Sequence, residues 1–245
     1  MENTQLISLS RQMALQRQMD VVANNLANMN TTGFKSEDLL FEDYLMPKAQ
    51  DNEFQGADRD LHFTEDWSSL HNMQNGSIQP TGNTLDIALD GTGFLSVQMP
   101  AGEEYTRNGA LQLDNTGTLV DLNGSPVLGD SGPIHFDSTE SNITFSPDGT
   151  ISSSKGVKGK LKVTEFDNPQ LLARVGDNDY SGSGGNPATS TKIDQFSLER
   201  SNVSGINEMT SMIRIQRAYQ TIANMMERQD QLRQTAMDRL ADTSA

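Results

Sequence analysis

Asn202–Leu240, NVSGINEMTSMIRIQRAYQTIANMMERQDQLRQTAMDRL, is the longest periodic stretch of the chain. Met212, Ile215, Tyr219, Ile222 and Met226 recur in it at steps of three, four, three and four, which on a helix stacks them in one seam. Met209, Ile213, Met225 and Leu232 flank that seam and widen it. Continued at the same steps it meets Gln229, Arg233, Ala236 and Leu240, so the apolar face weakens toward its end. No Pro or Gly interrupts the stretch after Gly205; Ser204 can cap free backbone N–H groups, and Asn207 and Glu208 put polar and acidic groups in the first turn. Two fates fit such a face: packing on the chain's own core, or pairing with another helix.

The other end of the chain favours pairing. Leu15, Met19, Val22, Leu26 and Met29 step by four, three, four and three, with Leu6, Leu9 and Met13 extending the apolar face toward Met1. Amphipathic helices at both ends, separated by a long stretch of different period, predict an α-helical coiled-coil stalk closed by pairing the termini. Methionine in both seams suits a surface that meets several non-identical neighbours, and equally suits core filling. The first helix is expected to end between Asn28 and Gly33, where Asn30-Thr31-Thr32-Gly33 is a stop signal. Asn24, Asn25, Asn28 and Asn30 crowd the last turns, either solvated or bonded across to a neighbouring helix or chain whose register they fix.

The 245 residues suffice for one large domain or two ordinary ones. A formal charge of −15 and a mean hydropathy of −0.56 argue against a phosphate backbone or an anionic membrane as principal partner, since both would be repelled. The absence of cysteine removes disulfides, thiol catalysis and Cys-based metal sites, and fits a chain that passes through an oxidising compartment. No apolar run is long enough to span a bilayer. Met1 to Ser10 has no basic n-region, and the seam that follows is broken by polar residues, so export, if it occurs, is expected without a secretory signal.

Between the helices the period changes. Residues 34–84 read as an irregular connector with hairpins: an apolar patch at Leu39, Leu40, Phe41, Tyr44, Leu45 and Met46 precedes Pro47, then an acidic stretch from Asp51 to Asp66, then Trp67. From Leu85, with Ile87 and Leu89 alternating with Asp86 and Ala88, the period is two. Short runs follow at 94–98, 105–107, 110–113, 118–121, 126–128, 134–136, 143–145 and 160–166, punctuated by Asn108-Gly109, Thr116-Gly117, Asn123-Gly124 and Asp148-Gly149 turns. The prediction is an α+β chain: terminal helices over 1–33 and 201–245, the connector, and an all-β module over 85–200, an irregular sandwich or barrel closed by a loop from Gly176 to Thr191.

Chemistry finds little footing. His62, His71 and His135 have no neighbours at metal-ligand or triad spacing and read as packing or surface residues. Asp177-Asn178-Asp179-Tyr180-Ser181-Gly182 begins like a calcium loop, yet its twelfth position is Ala188, where a bidentate Glu is required. Gly91-Thr92-Gly93 precedes a strand and not a helix, unlike a dinucleotide fingerprint. No catalytic, cofactor or metal residue is therefore assigned. The competing enzyme reading is a cell-wall hydrolase using Asp86 and Asp90, which share a strand face; a third class is a secreted adhesin on a helical stalk.

The run Ala23-Asn24-Asn25-Leu26-Ala27-Asn28-Met29-Asn30-Thr31-Thr32-Gly33-Phe34-Lys35 resembles the N-terminal signature of the flagellar rod, hook and hook-filament-junction proteins. Leu198-Glu199-Arg200-Ser201-Asn202-Val203, with Glu208-Met209, Met212-Ile213 and Gln216-Arg217-Ala218-Tyr219, is similar to the C-terminal signature of that family. Between them, residues 85–94, Tyr105-Thr106-Arg107-Asn108-Gly109, 119–129 and 159–168 resemble its β-module, although Gly93-Phe94-Leu95 stands where the family often has two aromatics. Size and the compact middle look most like a proximal rod subunit, with the distal rod subunit a close rival. The resemblance implies a structural subunit that stacks helically into a hollow rod crossing the periplasm and carries torque to the hook. Its implied partners are itself, the other rod subunits and the flagellar type III export apparatus, with no nucleic acid and no membrane insertion. The implied assembly interface is Leu15, Met19, Val22, Asn24, Asn25, Leu26, Asn28, Met29, Met209, Met212, Ile215, Tyr219, Ile222 and Met226. The termini of the isolated subunit are expected to order only on assembly.

Overall fold

The computed structural model describes residues 2–45, 62–100, 102–176 and 178–242. Met46, Pro47, the acidic residues 51–61 and Asp177 lie outside them, as do the side chains of Phe41, Tyr44, Leu45, Trp67 and Leu240. The chain divides into two compact units, one of Met1–Leu26, Glu37–Leu70 and Gly205–Ala245, the other of Ala27–Ser36 and His71–Ser204. Secondary structure is α+β: two terminal helices and a mostly β body.

The first unit holds the helices. The N-terminal helix, α1, spans Glu2–Ala27 and stops where Asn28 accepts a turn bond from the Thr31 amide at 3.1 Å. Its covered face runs through Ser8, Gln12, Leu15, Met19, Val22 and Asn25, at helical steps of three and four. Leu6, Leu9 and Met13 do not extend this face. They lie more than 100° around the helix from Leu15 at about 100° per residue, and are 53%, 46% and 64% exposed. The polar Ser8 and Gln12 hold the seam positions instead, because geometry and not hydrophobicity continues it.

The C-terminal helix, α2, spans Gly205–Asp242. Its covered face passes through Glu208, Met212, Ile215, Tyr219, Ile222, Met226 and Gln229, and residues 231–239 are all exposed. The seam thus runs along the predicted line and ends where it turns polar. Met209, Ile213, Met225 and Leu232 are exposed, so the covered stripe is narrower than the sequence suggested. The connector contributes a two-stranded ladder of Glu37–Leu45 with His62–His71.

The second unit is built on an open antiparallel ladder in the order Ala173–Gly176, Asp179–Ser181, Gly102–Thr106, Phe94–Met99, Val163–Glu165, Asn186–Pro187. Around it lie shorter ladders, among them Ile87–Asp90 with Lys192–Gln195, Ile78–Pro80 with Ser197–Glu199, and the meander Thr144–Phe145, Thr150–Ser153, Gly156–Lys160. Side chains from several ladders interlock in one core: Leu89 and Ile193, Leu95 and Val97, Ile151 and Leu161. Phe94, Phe166, Leu172 and Tyr180 form a second cluster, in which the Phe94 ring meets those of Phe166 and Tyr180 edge to face.

Several local expectations change. Ile87, Ala88 and Leu89 are all buried, so the strand lacks the exposed face that alternation implies. It is covered on both sides, paired with Lys192–Gln195 and bonded through the Ile87 amide to the Gly109 carbonyl at 3.0 Å. The run 160–166 is two strands interrupted where Leu161 turns into the core. Residues 134–136 form a single bridge, Thr118 to His135, in place of a strand. Asp179–Ser181, within the stretch read as a closing loop, joins the main ladder with Tyr180 opposite Tyr105. Gly-, Ser- and Asn-rich composition masked that strand; Tyr180, fully buried, makes it.

Candidate functional site: the root of the two terminal segments

Within the second unit, residues 33–36, which follow α1, run beside residues 199–202, which precede α2. Gly33 makes the approach possible. It holds φ at +68°, and a Cβ there would lie 2.4 Å from the Arg107 carbonyl oxygen, so a side chain is barred both by conformation and by space. Its amide donates to the Glu199 carbonyl at 2.8 Å. Phe34 is fully buried with the Arg174 guanidinium 4.2 Å from its ring centroid. Asn202 completes the join: its side-chain oxygen accepts the Ser36 amide at 2.8 Å, its Nδ2 donates to the Asn72 carbonyl at 2.7 Å, and its own amide donates to Phe34 at 3.3 Å.

At the centre lies a buried ion network. Lys35, Glu199 and Arg107 are 0%, 1% and 2% exposed. The Lys35 ammonium lies 2.6 Å from Glu199 Oε1 and donates to the Gln74 carbonyl at 2.8 Å, while the Gly76 amide donates to the same Oε1 at 2.8 Å. Arg107 Nη1 reaches Glu199 Oε2 at 3.3 Å, and its Nη2 donates to the Gly91 carbonyl at 2.7 Å. The guanidinium sits 4.9 Å from the Phe94 centroid. Two cations share one carboxylate, so the backbone carbonyls and the aromatic face supply the remaining negative charge density. Burial pushes the Lys35 ammonium below its ordinary pKa, and the Glu199 carboxylate offsets only part of this; burial acts on Arg107 in the same direction. A network so enclosed has no open face for a reacting group. What it can do is hold residues 35, 107 and 199 in one arrangement, since breaking a buried pair by removing one partner typically costs about 3–5 kcal/mol.

In the first unit, Asn25 performs a similar service. Its side chain brackets the Glu37 backbone, donating to the carbonyl at 2.9 Å and accepting the amide at 3.0 Å, and it lies near enough to Glu208 in the first turn of α2 to act on that carboxyl's pKa. The last turn of α1, the start of the connector ladder and the root of α2 therefore meet at one buried amide. Burial, reinforced by the nearby Asp38 carboxylate, raises the Glu208 pKa despite the opposing influence of the Asn25 amide.

Of the predicted interface residues, Val22, Asn25 and Ile215 are buried, and Leu15, Met19, Leu26, Asn28, Met212, Tyr219, Ile222 and Met226 half-buried. Asn24, Met29 and Met209 are exposed. Lys35, Arg107 and Glu199 lie inside the family-like motifs, where the sequence assigns them no role. No local pattern marks them: Lys35 follows an Asn- and Thr-rich run, and Glu199 stands directly beside a second charge, Arg200. His71 is buried edge-on to Tyr180 at 5.8 Å between centroids. Asp86 is buried as a turn staple, accepting from Thr81 Oγ1 at 2.6 Å and Asn83 Nδ2 at 2.8 Å, while Asp90 is exposed. That arrangement ties up the Asp86 carboxylate that a paired-carboxylate reading needs.

Three family models match the chain. A flagella basal body rod protein model covers residues 6–35, a flagellar hook protein FlgE/F/G D1 domain model residues 88–153, and a flagellar basal body rod FlgEFG protein C-terminal model residues 194–239. Each of these regions supplies one member of the buried network. The chain is 37% identical over 244 residues to the flagellar basal-body rod protein FlgF of Caulobacter vibrioides, covering 98% of both. It is 30% identical to the FlgF of Mesorhizobium japonicum, covering 92% of each chain, and 30% identical to the FlgG of Bacillus subtilis, covering 89% of this chain and 92% of that one. A likeness that runs end to end, with all three matched regions meeting at one buried site, places this chain in the flagellar basal-body rod protein family.

Proposed function

We infer that this chain is a structural subunit of the bacterial flagellar basal-body rod, of the FlgF type. The observation that carries this is the 37% identity to a FlgF over 98% of both chains. The helices act in this reading as a paired, coiled-coil stalk that builds the axial tube, and the β body as an irregular sandwich. The covered lines along α1 and α2, and the influence of the Asn25 amide on the Glu208 carboxyl, support pairing. The division into terminal helices, connector and module follows from the same reading. The predicted interface then has two tasks. Val22, Asn25, Ile215 and the half-buried positions hold the chain's own stalk, while Asn24, Met29 and Met209 remain for neighbours. Torque transmission, passage across the periplasm, delivery by the flagellar type III export apparatus and a proximal position along the rod belong to this proposal.

A FlgG-type role is the second reading, favoured by FlgG relatives about as long and 30–31% identical. Labelled subunits in isolated basal bodies separate the two. Label at the proximal rod supports the FlgF type, label beneath the outer-membrane ring supports the FlgG type, and no label in the rod overturns both.

A further inference from the structure

The segments that lead into the two helices are bonded to each other by residues outside the helices. Residues 27–36 and 199–204 both belong to the second unit. Between them run the Gly33 amide to the Glu199 carbonyl, Arg200 Nη2 to Asn30 Oδ1 at 3.0 Å, the Lys35–Glu199 pair, and the bonds of Asn202 to Phe34 and Ser36. A third segment backs them. The Asn72 amide donates to the Ser36 carbonyl at 2.8 Å, and a Cβ on Gly76 would lie 1.8 Å from the Arg200 carbonyl oxygen, so glycine alone lets that segment approach. After Arg200 the hold narrows to one residue. The Asn202 side chain turns its oxygen to the Ser36 amide and its nitrogen to the Asn72 and Gln74 carbonyls, at 2.7 and 3.1 Å, so its oxygen and both of its N–H groups are engaged.

α1 ends at Ala27 and α2 begins at Gly205, each a few residues outside these bonds. Helices that grow from two fixed, neighbouring points meet as parts of one tethered object: the loop between them is already closed, and short tethers give effective concentrations in the millimolar range. We propose that residues 199–202 are a strap that closes over residues 33–36 in the free subunit, before the helices order, with Asn202 as the positioning residue that fixes where the chain leaves toward α2. The proposal rests on the rod-subunit reading and adds an order of events to it, strap first and helices second.

The absence of cysteine lets two spin labels be placed at chosen sites. Full-length chain carrying Met29→Cys and Val203→Cys, both positions in the second unit, is labelled, and the distance between the labels is measured by pulsed electron resonance on a dilute monomer. A single narrow distribution is expected; a broad one would mean that the strap stays open until assembly and would overturn the proposal. Asn202→Leu keeps the size of the side chain and removes its three hydrogen bonds. At about a factor of five in equilibrium for each bond, closure should weaken roughly a hundredfold, the distribution should broaden, and the near-ultraviolet signal of the β unit should persist. Unlabelled Asn202→Leu chain should enter basal bodies roughly tenfold less than the parent. A distribution that stays narrow, or normal incorporation, would overturn the proposal. Should Asn202→Leu lose the near-ultraviolet signal, Arg200→Gln, at an exposed position, cuts the bond to Asn30 instead: partial broadening supports the strap, and an unchanged distribution ends it. Absence of the parent chain from basal bodies would overturn the rod reading itself and leave the distance result standing.

Discussion

The helical unit and the β unit solve the problem of burial differently. The β unit interlocks side chains from several ladders and encloses three charges with scarcely any exposure. Each helix, by contrast, covers a single line of residues, with Val22 and Ile215 as its buried apolar members among the described residues, and α2 runs on through nine exposed residues at 231–239. Per residue ordered, the described helix residues remove less apolar surface from water, and on the rod-subunit proposal they are the part that neighbours complete. One chain thus joins a unit with a densely interlocked core to helices that cover only a single line each.

The largest expected effect breaks the stronger half. Glu199→Gln leaves Lys35 and Arg107 buried without their carboxylate and should destabilise the β unit by about 3–5 kcal/mol, read as a fall in urea midpoint. Replacing all three charges by apolar residues of similar volume should recover most of that stability. A Glu199→Gln midpoint equal to the parent's would mean the network holds nothing.

Ile222→Pro attacks the weaker half. It should cost α2 about 3 kcal/mol or more, leave the near-ultraviolet signal of the β unit unchanged, and abolish incorporation into rods. Normal swimming with the variant in the rod would contradict the division of labour.

A smaller effect is expected at the root. Gly33→Ala meets both a positive φ and the Arg107 carbonyl, and should lower stability by about 1–3 kcal/mol, with Asn less harmful than Ala because it tolerates that φ better.

The smallest effects are in pH, and they have opposite signs in the two units. Glu165 accepts from Thr191 and Ser190, which hold its pKa down to about 2 from 4.5. A depressed carboxylate contributes stability that is present above its unfolded value of 4.5 and is lost as pH falls toward about 2. Glu208 is raised, so its contribution is fully present below its unfolded value of 4.5 and is lost as pH rises beyond that through its higher folded value. Acid titration should therefore loosen the 189–191 loop while α2's root holds, and Glu165→Gln should flatten the acid limb of the β unit. Chemical shifts of the two carboxyl groups check the directions.

The sequence disclosed the parts that follow a period. The α2 seam from Met212 to Met226 lies where the step pattern put it, because helical geometry alone selects those positions. Leu6, Leu9 and Met13 were misassigned for the converse reason: they are apolar but off the line, and Ser8 occupies it. The strand at Tyr180 was hidden by its loop-like neighbours, and Ile87 to Leu89 by cover on both faces. The ion network was legible only as isolated charges, since nothing local brings Lys35 within reach of a carboxylate so far along the chain. Only the fold does.

On the rod-subunit proposal, the β unit stands alone and the helices order fully on assembly. Hydrogen exchange on a verified dilute monomer and on assembled rods tests it most directly. Amides of the core strands, such as 87–90 and 94–99, should be protected in both. Amides from Leu6 to Met29 and from Met209 to Leu232 should exchange rapidly in the monomer and slowly in the rod. Strong protection of both helices in the monomer would contradict the claim, because the stalk would then be complete before any neighbour arrived.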